Sequence, residues 1–362
     1  MIHLDNSDIT QLLSMKETMD ALRIGYEQLS TGDAAHVPRL ELWSPAAASD
    51  AYHCLGTMSG STKHHGFTAL RIKSDVMRWP DGKSQEKYAI EPGTYCGFIL
   101  LFSAENGEPV ALINDGILQQ TRVGGSAGIA TDALANPGLT KIGIIGSGNM
   151  ARTYLEAISL TRPIEMVKVF SPNKAHRALF ATEMSDRLRL NVQAVNTPED
   201  AVANCGIVVS ATNSMVATLR PEWIATGSLV LCVTRRELSS ELVDSADRVM
   251  QLGTFSIGPD ANVPNLEFPQ SGAGGFISGN EAERARLPWK HRSETRDFPS
   301  FIGMLRGDVS GRLTPQETIV FINIGAQGVQ FAAVAGRAYE LALERGIGSE
   351  ITQDWYLQNI RN

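Results

Sequence analysis

The chain has 362 residues, a length that accommodates two domains, and its 43% hydrophobic and 20% charged residues form an ordinary globular balance. The formal net charge of −7 argues against a nucleic-acid partner, because such proteins present a basic surface. No apolar run approaches the length of a membrane span, and the first residues lack the basic and apolar regions of a signal peptide. We therefore expect a cytoplasmic protein without a membrane partner.

The four cysteines also favour a reducing compartment. Cys54, Cys96, Cys205 and Cys232 lie far apart in the chain, with no Cys-x-x-Cys pair. No group of His, Asp, Glu and Cys has the spacing of metal ligands, so no metal site is predicted.

The first third of the chain predicts an α+β unit. A capping box formed by Ser14 and Glu17 begins a helix that stops at Gly32. Residues 66–76 alternate as a strand, which places Arg71 and Lys73 on one face. Residues 96–102 and 109–115 flank an Asn-Gly turn and predict a hairpin, and a helix is expected within residues 114–135.

The following segment alternates short apolar strands with helices. Strands are predicted in residues 141–146, 167–171, 191–196, 206–212, 228–234 and 247–251, a pattern typical of a parallel, doubly wound Rossmann sheet. Residues 259–299 are rich in Gly, Pro and charge and indicate an insertion or a lid-like excursion. A long helix is expected from Thr314 to Gly346, and it should return to the N-terminal unit.

These patterns predict an α/β protein with two domains. Residues 126–319 would form the Rossmann NAD(P)-binding domain. Residues 1–125 and 320–362 would form an α+β substrate-binding and dimerisation domain built from both chain ends.

The loop after the first parallel strand predicts a dinucleotide site. It reads Gly146-Ser147-Gly148-Asn149-Met150-Ala151, and it follows a buried strand and opens a helix. Gly146 would make the tight turn, Gly148 would admit the diphosphate, and Ala151 would allow close packing of helix on strand. The alternative is a purely structural glycine turn.

The end of the second parallel strand bears on the choice between NADP and NAD. NAD sites usually place Asp or Glu about 20 residues past the loop, and none stands here. Ser171, Asn173, Lys174 and Arg177 could instead hold a 2′-phosphate, although Lys174 and Arg177 could also be solvated residues at a helix start. The sequence favours NADP.

With these motifs the chain resembles the ornithine cyclodeaminase/mu-crystallin family over nearly its whole length. The matching segments are HVPRLEL (36–42), GFTALRIKSDV (66–76), residues 111–135, IGIIGSGNMA (142–151), CGIVVSAT (205–212) and residues 311–330. The resemblance implies a homodimer and a small amino- or imino-acid substrate. It implies that Lys73 lies beside the substrate's α-carbon and nitrogen, and that Arg39 and Arg122 grip its carboxylate. It also implies cofactor contacts by Thr121, Ala211, Thr212, Val233 and Gly325.

The chemistry fits those assignments, yet each residue has a plain alternative. A guanidinium fork suits a carboxylate, and a lysine can supply a proton to the imine nitrogen. Lys73 could instead face solvent, Arg39 could be a loop cation, and Arg122 could pair with Asp115 or Asp132.

The departures from the family pattern bear on the reaction. The family's cyclodeaminases carry an aspartate after the strand that ends here at Val233, and this chain has no acid before Arg235. A distal ammonium would then lack a partner, which favours an NAD(P)-dependent imine or ketimine reductase or amino-acid dehydrogenase. The alternatives are a cyclodeaminase-type lyase with internally recycled NAD and a non-catalytic NADP(H)-binding protein. An extra cation such as Arg71 or Arg235 would suit a second acidic group.

Overall fold

Two β-sheets organise the chain in the computed structural model, which describes residues 1–253, 266–267, 274–285 and 298–360. The strands, in chain order, are β1 (Ile2–Leu4), β2 (Ala34–His36), β3 (Leu40–Pro45), β4 (Ala51–Thr62), β5 (Phe67–Arg78), β6 (Glu86–Tyr88), β7 (Gly97–Ser103), β8 (Pro109–Asn114), β9 (Lys141–Ile145), β10 (Met166–Phe170), β11 (Val192–Ala194), β12 (Ile207–Ser210), β13 (Leu229–Cys232), β14 (Arg248–Gln251), β15 (Leu266–Glu267), β16 (Gly274–Ile277), β17 (Ile319–Ile322) and β18 (Ser349–Glu350).

Helices cover these sheets. In chain order they are α1 (Asn6–Leu12), α2 (Met15–Thr31), α3 (Asp115–Leu134), α4 (Asn149–Ser159), α5 (Lys174–Leu188), α6 (Pro198–Val202), α7 (Ser240–Ser245), α8 (Glu281–Arg284), α9 (Phe301–Arg306) and α10 (Gln327–Arg345). Within the described residues, no helix combines the length and the apolar character needed to cross a membrane.

The first sheet is built mostly from the N-terminal third. Its order is β15-β16-β3-β4-β5-β7-β8-β1-β18, with β2 and β6 paired to β4 and β5. Helix α10 packs on β4 and β5, and it approaches so closely that a Cβ on Gly60 would lie 2.3 Å from the carbonyl carbon of Gly328. Late residues therefore complete the early unit, as the sequence predicted.

The second sheet is parallel throughout and carries the dinucleotide loop. Its order is β11-β10-β9-β12-β13-β17-β14, so that β9 lies between β10 and β12. Strands β9, β12, β13 and β17 are almost entirely buried apolar residues, since helices cover both faces. The Rossmann prediction is confirmed.

Two predictions about the C-terminal part were wrong. A continuous helix was expected from Thr314, but residues 319–322 form β17 in the parallel sheet, and α10 begins only at Gln327. The expected domain boundary at 319/320 therefore falls inside a Rossmann strand. The composition of the apolar run in β17 is compatible with a helix or a strand. Its parallel pairing with β13 and β14 shows that it is a strand.

The expected excursion at 259–299 lies largely outside the described residues. Its described parts add β15 and β16 to the edge of the first sheet, with β16 parallel to β3. The predicted first helix, the hairpin of β7 and β8, and the helix now seen as α3 are confirmed.

Candidate active site

The dinucleotide loop adopts the geometry that its glycines predict. Gly146 has a φ of 112°, and a Cβ there would lie 2.2 Å from the carbonyl oxygen of Ala211, so only glycine fits. Gly148 is the N-cap of α4, no side chain caps this helix end, and a Cβ on Gly148 would meet open space. The first N–H groups of α4 are therefore available to an anion such as a diphosphate.

A cavity of about 1170 Å³ opens beside this loop at the carboxyl ends of β9, β10 and β12. The predicted cofactor residues that line it are Gly146, Ser147, Gly148, Asn149, Met150, Ser171, Asn173, Ala211, Thr212 and Val233. Its described lining contains no carboxylate, which suits a ligand that carries several phosphate charges. The residues present therefore fit a nicotinamide dinucleotide.

Four predicted cofactor residues do not line this cavity. Thr121 donates its hydroxyl to the carbonyl of Ile117 in its own helix, at 2.7 Å. Arg177 is buried and donates to the carbonyl of Ser171 at 2.8 Å, so it holds the end of β10 without lining the cavity. Lys174 is exposed on the first turn of α5. Gly325 packs against the backbone of Gly253 with a φ of 107°.

Small polar groups stand where the ribose of the adenosine half is expected. Ser147 donates its hydroxyl to that of Ser171 at 2.9 Å, which ties the glycine loop to the end of β10. Asn173 caps α5 by accepting from the N–H of His176, and both residues line the cavity. This edge is polar and uncharged apart from the imidazole.

A buried carboxylate, which sequence reasoning missed, fixes the opposite wall of the cavity. Glu237 accepts hydrogen bonds from the N–H groups of Thr212, Val233 and Thr234 at 2.6, 3.1 and 2.9 Å. Burial raises the pKa of Glu237, and these hydrogen bonds oppose that rise. Glu237 thus positions two predicted cofactor residues, Thr212 and Val233. Glu237 stands three residues after Thr234, the spacing of a capping box, and this pattern in the sequence could have indicated its role.

A second cavity of about 250 Å³ adjoins the first, because Gln119, Met150 and Val233 line both. It lies between the Rossmann loops and the first sheet. The ionisable residues of its lining are Arg39, Glu41, Lys87, Arg122, Arg235 and Arg236. This arrangement places a strongly cationic chamber next to the dinucleotide cavity.

Lys73 lies behind the wall of the cationic chamber, on the inner face of β5. It is 4% exposed, and its stem crosses Gly56, where a Cβ would lie 2.5 Å from Cε of Lys73. Its Nζ donates to Oδ2 of Asp75 at 2.7 Å and lies 3.5 Å from Oε1 of Glu41. The face that carries Lys73 is therefore buried, and the solvent-facing alternative is excluded.

Arg39 enters the same network through Glu41. Its guanidinium donates to Oε1 of Glu41, and the indole of Trp43 donates to Oε2 at 3.2 Å. Burial alone would raise the pKa of Glu41, but Arg39, Lys73 and Lys87 outweigh it and lower that pKa to about 2. Glu41 is therefore an anion that links two of the predicted catalytic cations.

Arg122 is held differently, without a carboxylate. It donates to Oε1 of Gln330 at 2.6 Å and to Oε1 of Gln119 at 2.7 Å, and it lies 4.8 Å above the ring of Phe331. Burial, followed by repulsion from Arg71, lowers its pKa. Among the described residues no carboxylate lies within 4.0 Å of it, so its charge is available to a ligand.

The two acidic residues that the sequence offers as partners of Arg122 form ion pairs with other cations. Asp115 pairs with Arg71, and Asp132 pairs with Arg23 at 3.2 Å. Arg71 is therefore not available for a second acidic group on a substrate.

Two further cations of the chamber, Lys87 and Arg236, were not predicted. Arg236 donates to Oε1 of Gln85 at 3.2 Å and contacts Sδ of Met215, while Lys87 lies on β6 and is exposed to the chamber. Arg236 follows Arg235, which the sequence did single out. Lys87 stands in a short strand without a recognisable pattern, so its place follows from the tertiary structure alone.

Comparisons with known proteins agree with this architecture. The model of the ornithine cyclodeaminase/mu-crystallin family matches residues 2–345. Delta(1)-pyrroline-2-carboxylate reductase of Bacillus cereus is 27% identical over 296 residues, which are 79% of this chain and 81% of that protein. Alanine dehydrogenase of Archaeoglobus fulgidus is 24% identical over 355 residues, which are 96% of this chain and 97% of that protein.

A solved structure extends the likeness to the fold. The Delta(1)-pyrroline-2-carboxylate reductase of Thermococcus litoralis, in complex with NADH and L-proline, has a TM-score of 0.76 and 23% identity. The match covers 97% of this chain and 100% of that one. The fold is thus shared over nearly the whole length, and both curated relatives are named as oxidoreductases.

Proposed function

Because the chain belongs to the ornithine cyclodeaminase/mu-crystallin family, we propose that it is an NAD(P)-dependent reductase of α-imino acids. The observation that carries this proposal is the junction of the two cavities at Gln119, Met150 and Val233. A dinucleotide bound along the large cavity would have its nicotinamide end beside the cationic chamber. When bound, the reduced nicotinamide supplies a hydride to the imine carbon, while the nitrogen gains a proton, so that an amino acid and the oxidised cofactor form.

The chain's own residues then bind and orient the substrate. Arg122 offers a guanidinium that no described carboxylate neutralises, and Arg39 lies in the same lining, so together they suit the α-carboxylate. Lys73 hydrogen bonds Asp75 and lies near the lining residue Glu41, which fixes its Nζ behind the wall of the chamber. We assign Lys73 the role of proton donor to the imine nitrogen.

The chamber favours a reductase over a cyclodeaminase-type lyase. A lyase acting on a diamino acid needs an acceptor for the distal ammonium, as an unpaired buried charge is costly. Glu41 is the acid in the described lining, and it already pairs with Arg39. The carboxylate of Glu237 is buried and already accepts hydrogen bonds from backbone N–H groups.

We further propose NADP as the favoured cofactor. The end of β10 carries Ser171 where an NAD site would carry an acid, and the described lining of the large cavity contains no carboxylate. Ser171, Asn173 and His176 provide polar contacts there. Lys174 and Arg177 do not reach the lining, so the preference rests on hydrogen bonds and on the missing acid.

A homodimer is proposed from the uncovered face of the first sheet. Helix α10 packs on the face that carries Arg71, and the opposite face carries an apolar patch beside polar side chains such as His53 and Ser74. Its members are Leu42, Leu55, Leu70, Ile72, Phe98 and Leu100, of which Leu42 is 50% and Phe98 41% exposed. A second copy of the chain would cover this patch. Leu70→Glu should then convert a dimer into a monomer in sedimentation.

The reaction is tested by following absorbance at 340 nm with NADPH, ammonium and a panel of 2-oxo acids. We expect steady oxidation of NADPH that requires both the oxo acid and ammonium. Release of ammonia from L-ornithine without net change in the cofactor would instead establish the lyase.

A further inference from the structure

The charges of the cationic chamber exceed what one substrate carboxylate requires. Its lining carries five cations and one carboxylate, Glu41, which pairs with Arg39. Lys73 behind the wall is neutralised by Asp75. Three lining cations, Lys87, Arg122 and Arg236, have no carboxylate within 4.0 Å among the residues that the structure describes.

These three cations form two groups. Arg122 comes from α3, and the charged residues Arg71 and Asp115 act on it electrostatically. Lys87 and Arg236, which we call the distal cation pair, come from β6 and the loop after β13. Each lies within electrostatic range of Arg39, and Gln85 beside Lys87 accepts a hydrogen bond from Arg236 at 3.2 Å. Carboxylates act on the pair from a longer distance than an ion pair: Glu237 and Glu41 on Arg236, and Asp75 on Lys87. The chamber thus offers two separate places for negative charge.

The distal cation pair does not serve the dinucleotide phosphates. Neither residue lines the large cavity, and the diphosphate is expected at the N-terminus of α4, beside Gly146 and Gly148. Nε of Arg236 is also buried without a hydrogen-bond partner in the described structure, which is unfavourable for a polar atom. An anion that enters the cleft relieves the repulsion between these cations.

We propose that the substrate carries a second carboxylate, bound between Lys87 and Arg236, so that the enzyme reduces the imine of a 2-oxo dicarboxylic acid. This proposal rests on the proposed reductase function and names its substrate class. Arg122 and Arg39 hold the α-carboxylate, and the distal cation pair holds the carboxylate at the far end of the chain.

The test compares acidic and neutral substrates in matched variants. NADPH oxidation is measured with ammonium and either 2-oxoglutarate or 2-oxopentanoate, in the wild type, Arg236→Gln, Lys87→Gln and the exposed control Lys83→Gln. We expect the wild type to prefer 2-oxoglutarate, and each distal variant to lose about 10- to 100-fold in kcat/KM for it. In the distal variants kcat/KM for 2-oxopentanoate should fall much less than kcat/KM for 2-oxoglutarate, and Lys83→Gln should match the wild type with both substrates. An equal or better rate with 2-oxopentanoate in the wild type would overturn the proposal.

A binding measurement separates this proposal from the reaction itself. Succinate is titrated by calorimetry into the wild type and Arg236→Gln in the presence of NADP⁺. Weaker binding to the variant, with no turnover of any oxo acid, would support the dianion site and reject the reductase. Equal succinate binding to both proteins, with turnover intact, would reject the dianion site alone.

Discussion

The ammonium of Lys73 lies 2.7 Å from the carboxylate of Asp75, two residues further along the same face of β5, and both side chains are almost fully buried. Glu41 on β3 lies 3.5 Å from the same ammonium. These contacts with two carboxylates hold Nζ of Lys73 in a fixed position beside the chamber, as a donor to an imine nitrogen requires. The same contacts make Lys73 part of the folded core.

Replacing Lys73 therefore affects both stability and turnover. Lys73→Ala should lower kcat by about 10²- to 10⁴-fold, since the proton donor is lost, and should lower the Tm because Asp75 becomes a buried unpaired charge. The double variant Lys73→Ala/Asp75→Ala should recover much of the Tm but none of the turnover. Dinucleotide affinity should be unchanged in both. If the double variant recovered turnover together with the Tm, Lys73 would be a structural residue only.

The two loop glycines should respond differently to alanine. Gly146→Ala places a Cβ 2.2 Å from a carbonyl oxygen at a φ of 112°, so we expect a loss of stability of about 1–3 kcal/mol by denaturant unfolding. Gly148→Ala meets open space, so it should leave stability unchanged and weaken NADPH binding by filling the cradle. Equal effects of the two variants on NADPH affinity and stability would contradict this account.

The cofactor preference depends on the end of β10. Ser171→Asp adds a carboxylate where the ribose 2′-substituent is expected, so it should weaken NADPH binding by repulsion and leave NADH binding equal or tighter. Fluorescence titration of both cofactors measures the ratio of the two Kd values. Ser171→Asn, which adds no charge, is the control. An unchanged ratio of the two Kd values in Ser171→Asp would contradict the inference that the ribose 2′-substituent lies beside residue 171.

The distal cation pair predicts a pH dependence of dicarboxylate binding. Partial dehydration in the cleft, and then Lys73, Arg39 and Arg236, lower the pKa of Lys87 to about 7, although Asp75 opposes the shift. Lys87 is thus charged below pH 7 and neutral above it, so succinate affinity should be highest below that pH and fall as the pH rises. Lys87→Met should bind succinate weakly with no change around pH 7. A wild-type affinity that is constant from pH 6 to pH 8 would contradict this assignment.

Much of the fold followed from local patterns. The capping box at Ser14, the Asn-Gly hairpin and the buried apolar strands each have a local physical cause, and all were confirmed. The strand β17 was missed because a short apolar run does not distinguish a strand from a helix, and only its place between β13 and β14 does.

The candidate site was predictable where alternation or a motif pointed to it. Arg39, Lys73 and Arg122 followed from the resemblance, and the structure brings all three to one chamber or its wall. Glu41 and Asp75 each stand two residues from one of those cations, so the strand period could have revealed them. Lys87 reaches the chamber because β6 pairs with β5, and no local sequence pattern predicts this pairing.

The central claim is that hydride passes from the nicotinamide to the α-carbon of an imino acid. The most direct measurement uses NADPH deuterated at C4 on the transferred face, with 2-oxoglutarate and ammonium, and locates deuterium in the product by mass spectrometry and NMR. The account predicts one deuterium at the α-carbon for each NADPH oxidised. An amino-acid product without deuterium at that carbon, or NADPH oxidation without an amino acid, would contradict it.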